Sequence, residues 1–131
     1  MISSPKYGWC NFDLGDFHGR PSYLTDVPFD LLQAFIDLHT KGSGCVWFDE
    51  EGTEFTLVLN PYSIFVIEEK DEPILHDCFK IKIGDIEKEL INDIESDLNG
   101  WAEFITDDDR EEIMVHRNEI RNMVIKLKEF L

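Results

Sequence analysis

The spacing of apolar residues changes twice along the chain. In residues 27–42, Leu31, Leu32, Phe35 and Ile36 recur with His39 at the spacing of one helical face. Pro28, in Val27-Pro-Phe-Asp30, suits the first helical position, where its missing N–H costs nothing, and Gly42 supplies a stop. The middle of the chain has another period. Cys45-Val-Trp-Phe48, Phe55-Thr-Leu-Val-Leu59 and Ile64-Phe-Val-Ile67 are short β-branched and aromatic runs. Asp49-Glu-Glu-Gly52 and Asn60-Pro-Tyr-Ser63 separate them with turn residues. Such short connections make neighbouring strands antiparallel, because a parallel crossover needs about a dozen residues or more. Phe79, Ile81 and Ile83 alternate with Lys80 and Lys82, which predicts a further strand closed by Gly84.

The helical period returns at Asp85. Ile86, Leu90, Ile94, Leu98 and Ala102 fall four apart, and Gly100 predicts a kink or break before Trp101. In the last segment Ile113, Ile120 and Leu127 lie seven apart, followed three residues later by His116, Met123 and Phe130. That is a packing seam, too short for a long coiled coil but compatible with a homodimer through the last helix. Ahead of all this, residues 7–24 mix Trp9, Phe12, Phe17 and Tyr23 with Gly8, Gly15, Gly19 and Pro21. The mixture predicts one or two short strands with a tight connection near His18-Gly-Arg20. The expected fold is therefore α+β: one domain over residues 1–131, with an antiparallel sheet of about five or six strands against about three helices, the last two C-terminal.

Composition allows a core, with 43% hydrophobic residues in 131. Charge changes the picture more. There are 28 acidic residues against 12 basic ones, a formal charge of -16, which repels phosphate backbones and anionic membranes and favours cationic partners. The segment from 85 to 112 holds twelve acids with Lys88 and Arg110, whereas Arg117, Arg121, Lys126 and Lys128 gather in the last helix. Asp49, Glu50, Glu51 and Glu54 surround one turn, and Glu68, Glu69, Asp71 and Glu72 a later one. Met1-Ile-Ser-Ser-Pro-Lys6 lacks the basic and apolar regions of a signal peptide, and no stretch reaches the ~20 apolar residues of a membrane helix. Three cysteines, Cys10, Cys45 and Cys78, suit a reducing, cytoplasmic compartment better than a disulfide framework.

The stretch Thr106-Asp-Asp-Asp-Arg-Glu-Glu112 puts five carboxylates in seven residues. If Thr106 is the helix N-cap, Asp109 completes a capping box, and first-turn acids meet the positive end of the helix dipole. The rest is not locally required: Asp107 with Glu111 and Asp108 with Glu112 are like-charged i,i+4 pairs. A metal site fits poorly, since an EF-hand alignment from Asp93 places Leu98 at the glycine position and Phe104 where the bidentate Glu belongs. His76-Asp-Cys78 has no second Cys/His pair at finger spacing, and neither a phosphate loop nor a Gly-x-Ser-x-Gly motif is present. No catalytic residue, cofactor or metal is thus assigned.

In character, the acidic chain, with Gly8-Trp-Cys-Asn-Phe12 and Ser22-Tyr-Leu-Thr-Asp-Val-Pro28, resembles the small immunity proteins of bacterial polymorphic and contact-dependent toxin systems. The resemblance implies a cytoplasmic inhibitor that binds a cognate toxin domain, often a nuclease. Charge, separately, implies docking of a basic protein through Asp49, Glu50, Glu51, Glu54, Asp107, Asp108, Glu111 and Glu112. Trp47, Tyr62 and Trp101 lie beside acidic turns as possible anchors, Trp47 reading more naturally as core. A non-enzymatic accessory module of a larger complex is the alternative, and a carboxylate-dependent enzyme a third.

Overall fold

The computed structural model describes residues 1–106 and 108–131. Within them β1 (Ile2–Lys6), β2 (Trp9–Leu14) and β3 (Phe17–Gly19) form an antiparallel meander in the order β1-β2-β3. The helix α1 (Val27–Lys41) leads into a second meander, β4 (Gly44–Asp49), β5 (Glu54–Asn60), β6 (Ser63–Glu69) and β7 (Ile74–Asp77), in the order β4-β5-β6-β7. Helices α2 (Ile83–Ser96), α3 (Leu98–Glu103) and α4 (Arg110–Lys128) follow. The α+β class with an antiparallel meander and C-terminal helices is as expected. The strands are seven and divide between two sheets.

Three local differences have physical causes. β1 pairs with β2 despite its Ser-Ser-Pro composition, as Ile2 opposite Phe12 contributes a fully buried side chain; Pro5 is tolerated because β1 is an edge strand. His18 is part of β3, opposite Asp13, so the tight connection falls at residues 15–16 rather than near His18-Gly-Arg20. The alternating Phe79-to-Ile83 run is not a strand. β7 lies earlier, and the pairing of Cys78 with Ile64 comes at the start of β6, so β6 has almost no residues left to pair with 79–83. Ile83 and Gly84 instead open α2.

The four-stranded sheet turns one face inward. Val46 and Phe48, Phe55, Leu57 and Leu59, and Ile64 and Val66 are buried there, two apart along each strand. Phe12 from the first sheet meets this face at centroid distances of 5.1 Å to Phe48 and 5.2 Å to Phe55, and Phe17 lies 4.9 Å from Phe55. α1 packs on β4 and β5 and, on its other side, against α4. Its end is as the sequence predicts: Gly42 adopts φ 90° and its N–H donates to the Leu38 carbonyl, a left-handed cap that a side chain would strain. The helical stripe from Ile86 breaks at Asp97, whose carboxylate caps α3 by accepting from the Gly100 N–H at 3.1 Å.

Opposite positions along the same strands face outward. Trp47, Thr56, Ile67 and Leu75 form one cross-strand row, and Cys45, Val58, Phe65 and Asp77 another. Trp47 is 46% exposed and Leu75 63%, and no helix among the described residues packs over this face.

Gly44 sits against the backbone of α1 at Ala34. A Cβ there would lie 2.1 Å from the Ala34 carbonyl oxygen, so no side-chain rotation could relieve it. Gly44→Ala is expected to destabilise the fold by about 1–3 kcal/mol, the usual cost of overpacking, read as a lower urea midpoint.

Candidate functional site

The β4–β5 turn gathers four of the acids that charge pattern pointed to, but they are not equivalent. Asp49 Oδ1 accepts from the Glu51 N–H at 2.7 Å, closing the turn. Glu50 accepts from the Thr53 hydroxyl at 3.1 Å and, with its other oxygen, from the Arg20 N–H at 2.8 Å, so it holds the end of β3. The Glu51 and Glu54 carboxylates take no hydrogen bond or ion pair among the described residues. Glu54 also stands between Asp49 and Glu69 in adjacent strands, a row of three like charges. Such a row opposes sheet formation by a few tenths of a kcal/mol or more per pair.

The second cluster starts α4. Its N-cap is Asp109, not Thr106: the Asp109 carboxylate accepts from the Glu111 and Glu112 N–H groups at 2.8 and 3.3 Å. An aspartate one residue ahead of the first helical turn reaches those amides, and Thr106 lies too far upstream. Asp108, Glu111 and Glu112 are exposed; Asp107 lies outside the described residues. Glu111 and Glu112 line an open groove with Ile105, Val115, His116 and Glu119.

The segment 22–26 links the two clusters. The Ser22 N–H donates to the Asp49 carbonyl at 2.7 Å, while Asp26 Oδ2 is 2.6 Å from His116 Nε2. Four peptide units span at most about 14 Å, so both clusters belong to the end of the molecule where α1 begins. His116 Nδ1 also donates to the Ala102 carbonyl at 2.9 Å. With a carbonyl on one ring nitrogen and a carboxylate on the other, the imidazolium form satisfies both. The Asp26 hydrogen bond raises the His116 pKa against the effect of burial, with the Ala102 carbonyl and the Asp26 and Glu119 charges adding to it. Asp26 is the N-cap residue of α1, yet makes no side-chain cap bond and joins α4 to α1 instead. Nothing in the sequence signalled this pair, whose members are ninety residues apart.

Beside it, Asp30 lines a shallow groove between α1 and β4 with Thr25, Gln33, Asp37 and Trp47. Burial, reinforced by the Asp26 charge, pushes its carboxyl up to about 6. This weakens folding as the pH climbs from the ordinary value of 3.8 to about 6, because the folded state holds the proton more tightly over that range.

The aromatic anchors sort differently from the sequence reading. Trp47 is not core: strand alternation sends it outward while Val46 and Phe48 point in. Tyr62 is fully exposed in the β5–β6 turn, and Trp101 is fully buried against Phe104, its indole N–H donating to the Asp93 carbonyl. Cys10 and Cys78 are buried, and burial raises both thiols, Cys10 to about 12, so neither is a ready thiolate. Cys45 is exposed on the outward face. Among the described residues no three His, Cys, Asp or Glu side chains converge as a metal site requires. No helix there is long and apolar enough to cross a membrane. Compared with protein-family models, curated proteins and solved structures, the chain matches none.

Two outcomes test this geometry. Asp109→Ala is expected to cost about 1 kcal/mol of stability through the lost cap, whereas Thr106→Ala is near neutral in the same urea titration. A histidine raised by folding contributes stability that is complete below its ordinary value of 6.5 and is lost as the pH rises through the folded value. Wild-type protein should therefore lose stability as the pH rises above 6.5, and Asp26→Asn should lose less over the same rise while being weaker at pH 6.5.

Proposed function

We propose that this protein is a non-enzymatic inhibitor of the immunity type, which binds a basic toxin domain and blocks it. The supporting observation is the outward face of the four-stranded sheet, apolar at its centre and acidic at one end. Trp47, Ile67, Val58 and Phe65 provide contact area there, and Asp49, Glu54 and Glu69 close the row next to Trp47. An apolar centre with a charged rim is how protein interfaces are built, and an exposed tryptophan is a frequent anchor.

The charge argument is one of residual cost. The fold uses Asp49 and Glu50 locally, but it gains nothing from Glu51 and Glu54 and is opposed by the Glu54 row. A cationic partner turns that repulsion into attraction, speeds encounter and rejects acidic competitors. Asp108, Glu111 and Glu112, at the same end of the molecule, extend the field, and Asp107 belongs with them by sequence. The groove beside Trp47 suits a lysine or arginine of the partner, because Asp30 and the Trp47 ring line it together. The net charge of -16 disfavours nucleic acid as the direct ligand. The seam residues Ile120 and Leu127 are buried within the molecule, which leaves the sheet face rather than the α4 seam as the larger apolar surface on offer.

Affinity capture from producing cells provides the test. The expected partner is basic, and its binding weakens as salt is raised. Glu51→Lys with Glu54→Lys should weaken it at least about tenfold, and Trp47→Ala by a similar factor, without lowering the melting temperature. A partner that is acidic, or one indifferent to all three changes, would sink the reading. A basic partner that is a subunit of a larger complex, with no toxic activity, would place the same face in an accessory module instead.

A further inference from the structure

β7 is the outer strand of its sheet, and its main chain carries unused hydrogen-bonding groups. The Cys78 N–H donates to the Ile64 carbonyl at 2.9 Å, and this sets the phase of the ladder. Cys78, His76 and Ile74 turn their main-chain groups toward β6; Leu75 and Asp77, in the alternate pairs, turn theirs away from the sheet. Among the described residues neither of those two N–H groups finds an acceptor. Pro73 precedes the strand and contributes no donor, so the outward-turned donors of β7 are those of Leu75 and Asp77.

Side chains define what would pair there. Leu75 ends the outward row that begins at Trp47, so the next side chain in that row would meet an apolar neighbour. Two residues on, Asp77 ends the adjacent row. Two residues back is Pro73, next to Glu72 in sequence and one step beyond the last registered pair, Ile74 with Glu68, toward Glu69. A second copy of this chain is disfavoured, because each copy carries a formal charge of -16 and pairing two β7 strands would bring two acidic surfaces together. A cationic segment meets the opposite situation.

Resting on the reading that the partner is a basic protein, we propose that β7 accepts an extended segment of that partner as a fifth strand. The segment carries Lys or Arg two residues to either side of an apolar residue. Main-chain bonds to Leu75 and Asp77 give the pairing, and the apolar and cationic side chains on the outward face give the selection, as in other strand-addition complexes.

The probes are two blocked peptides, TKTVTKT and TETVTET, titrated into isotope-labelled protein and followed by amide NMR. TKTVTKT is expected to shift resonances of residues 73–78 and to slow solvent exchange at the Leu75 and Asp77 amides, while TETVTET leaves both unchanged. Leu75→Pro deletes an N–H that makes no bond within the protein, a position an edge strand tolerates, and should weaken TKTVTKT about tenfold. Asp77→Lys keeps the main chain intact and should weaken it about threefold, so a poorly folded proline variant does not end the test. No binding of TKTVTKT, or equal binding of both peptides, overturns the proposal. Shifts confined to residues 49–54 and indifferent to both substitutions overturn it too, while leaving the acidic docking face standing; that face falls instead if a captured partner ignores Glu51→Lys and Glu54→Lys.

Discussion

Phe12 is the ring on which the two sheets meet. It touches Phe48 and Phe55 across the junction and Phe17 within its own sheet, and all four rings are buried. Each buried phenyl contributes roughly 1.5–3 kcal/mol relative to exposure, a large share of the ~5–15 kcal/mol that holds a domain together. The small sheet and α1 share the inward face of the large one, since α1 lies on β4 and β5. The arrangement consumes one face of that sheet completely. The other face keeps its apolar residues with nothing packed on it among the described residues, which is a consequence of this junction and not of any feature of the outward strand positions themselves.

A chain with so few cations also has to place its buried acids carefully. Glu87 is almost fully buried; burial raises its pKa, and His39 Nε2 at 2.6 Å opposes the rise while stacking on Phe130 at 4.9 Å. Asp26 takes His116. The amino group of Met1 lies between Glu89 and Asp93. Each of these contacts joins elements distant in sequence, so the two histidines and the amino terminus serve as links among the helices and the start of β1. Asp30 is the exception: among the described residues no ion partner reaches it, and burial beside Asp26 leaves its carboxyl high. Acids beyond these few receive little from the interior, and most remain on the surface.

How far the sequence could be read depended on whether the deciding contact was local. α1 was legible because its period, its proline and Gly42 all act within a turn or two, and the meander because its turns carry their own chemistry. Trp47 was not: Cys45-Val-Trp-Phe48 is apolar on both faces, and only packing reveals which face stays open. The alternation in residues 79–83 reads as a strand, but pairing is decided by a partner strand that begins at Ser63 and is already used up. Three successive aspartates left the α4 cap ambiguous by three residues, and the helix start settles it at Asp109. At the site, the acids at 49–54 were readable as a cluster, but the different work of Glu50 and Glu54 depends on Arg20 and Glu69, which only the fold brings near.

The position of the unused charge is more informative than its amount. A solvated surface can carry many acids at little cost when they are dispersed, because water and salt screen them. Asp49, Glu54 and Glu69 are instead held side by side by strand register, where their spacing cannot relax. They border the apolar row that runs from Trp47 to Leu75, and Asp77 borders it on the other side at its far end. Charges that only kept the protein soluble would work equally well anywhere on the surface. Charges fixed around an uncovered apolar row would repel other copies of the same chain from that row and would admit a cationic surface, which is the arrangement that the proposed docking of a basic partner requires.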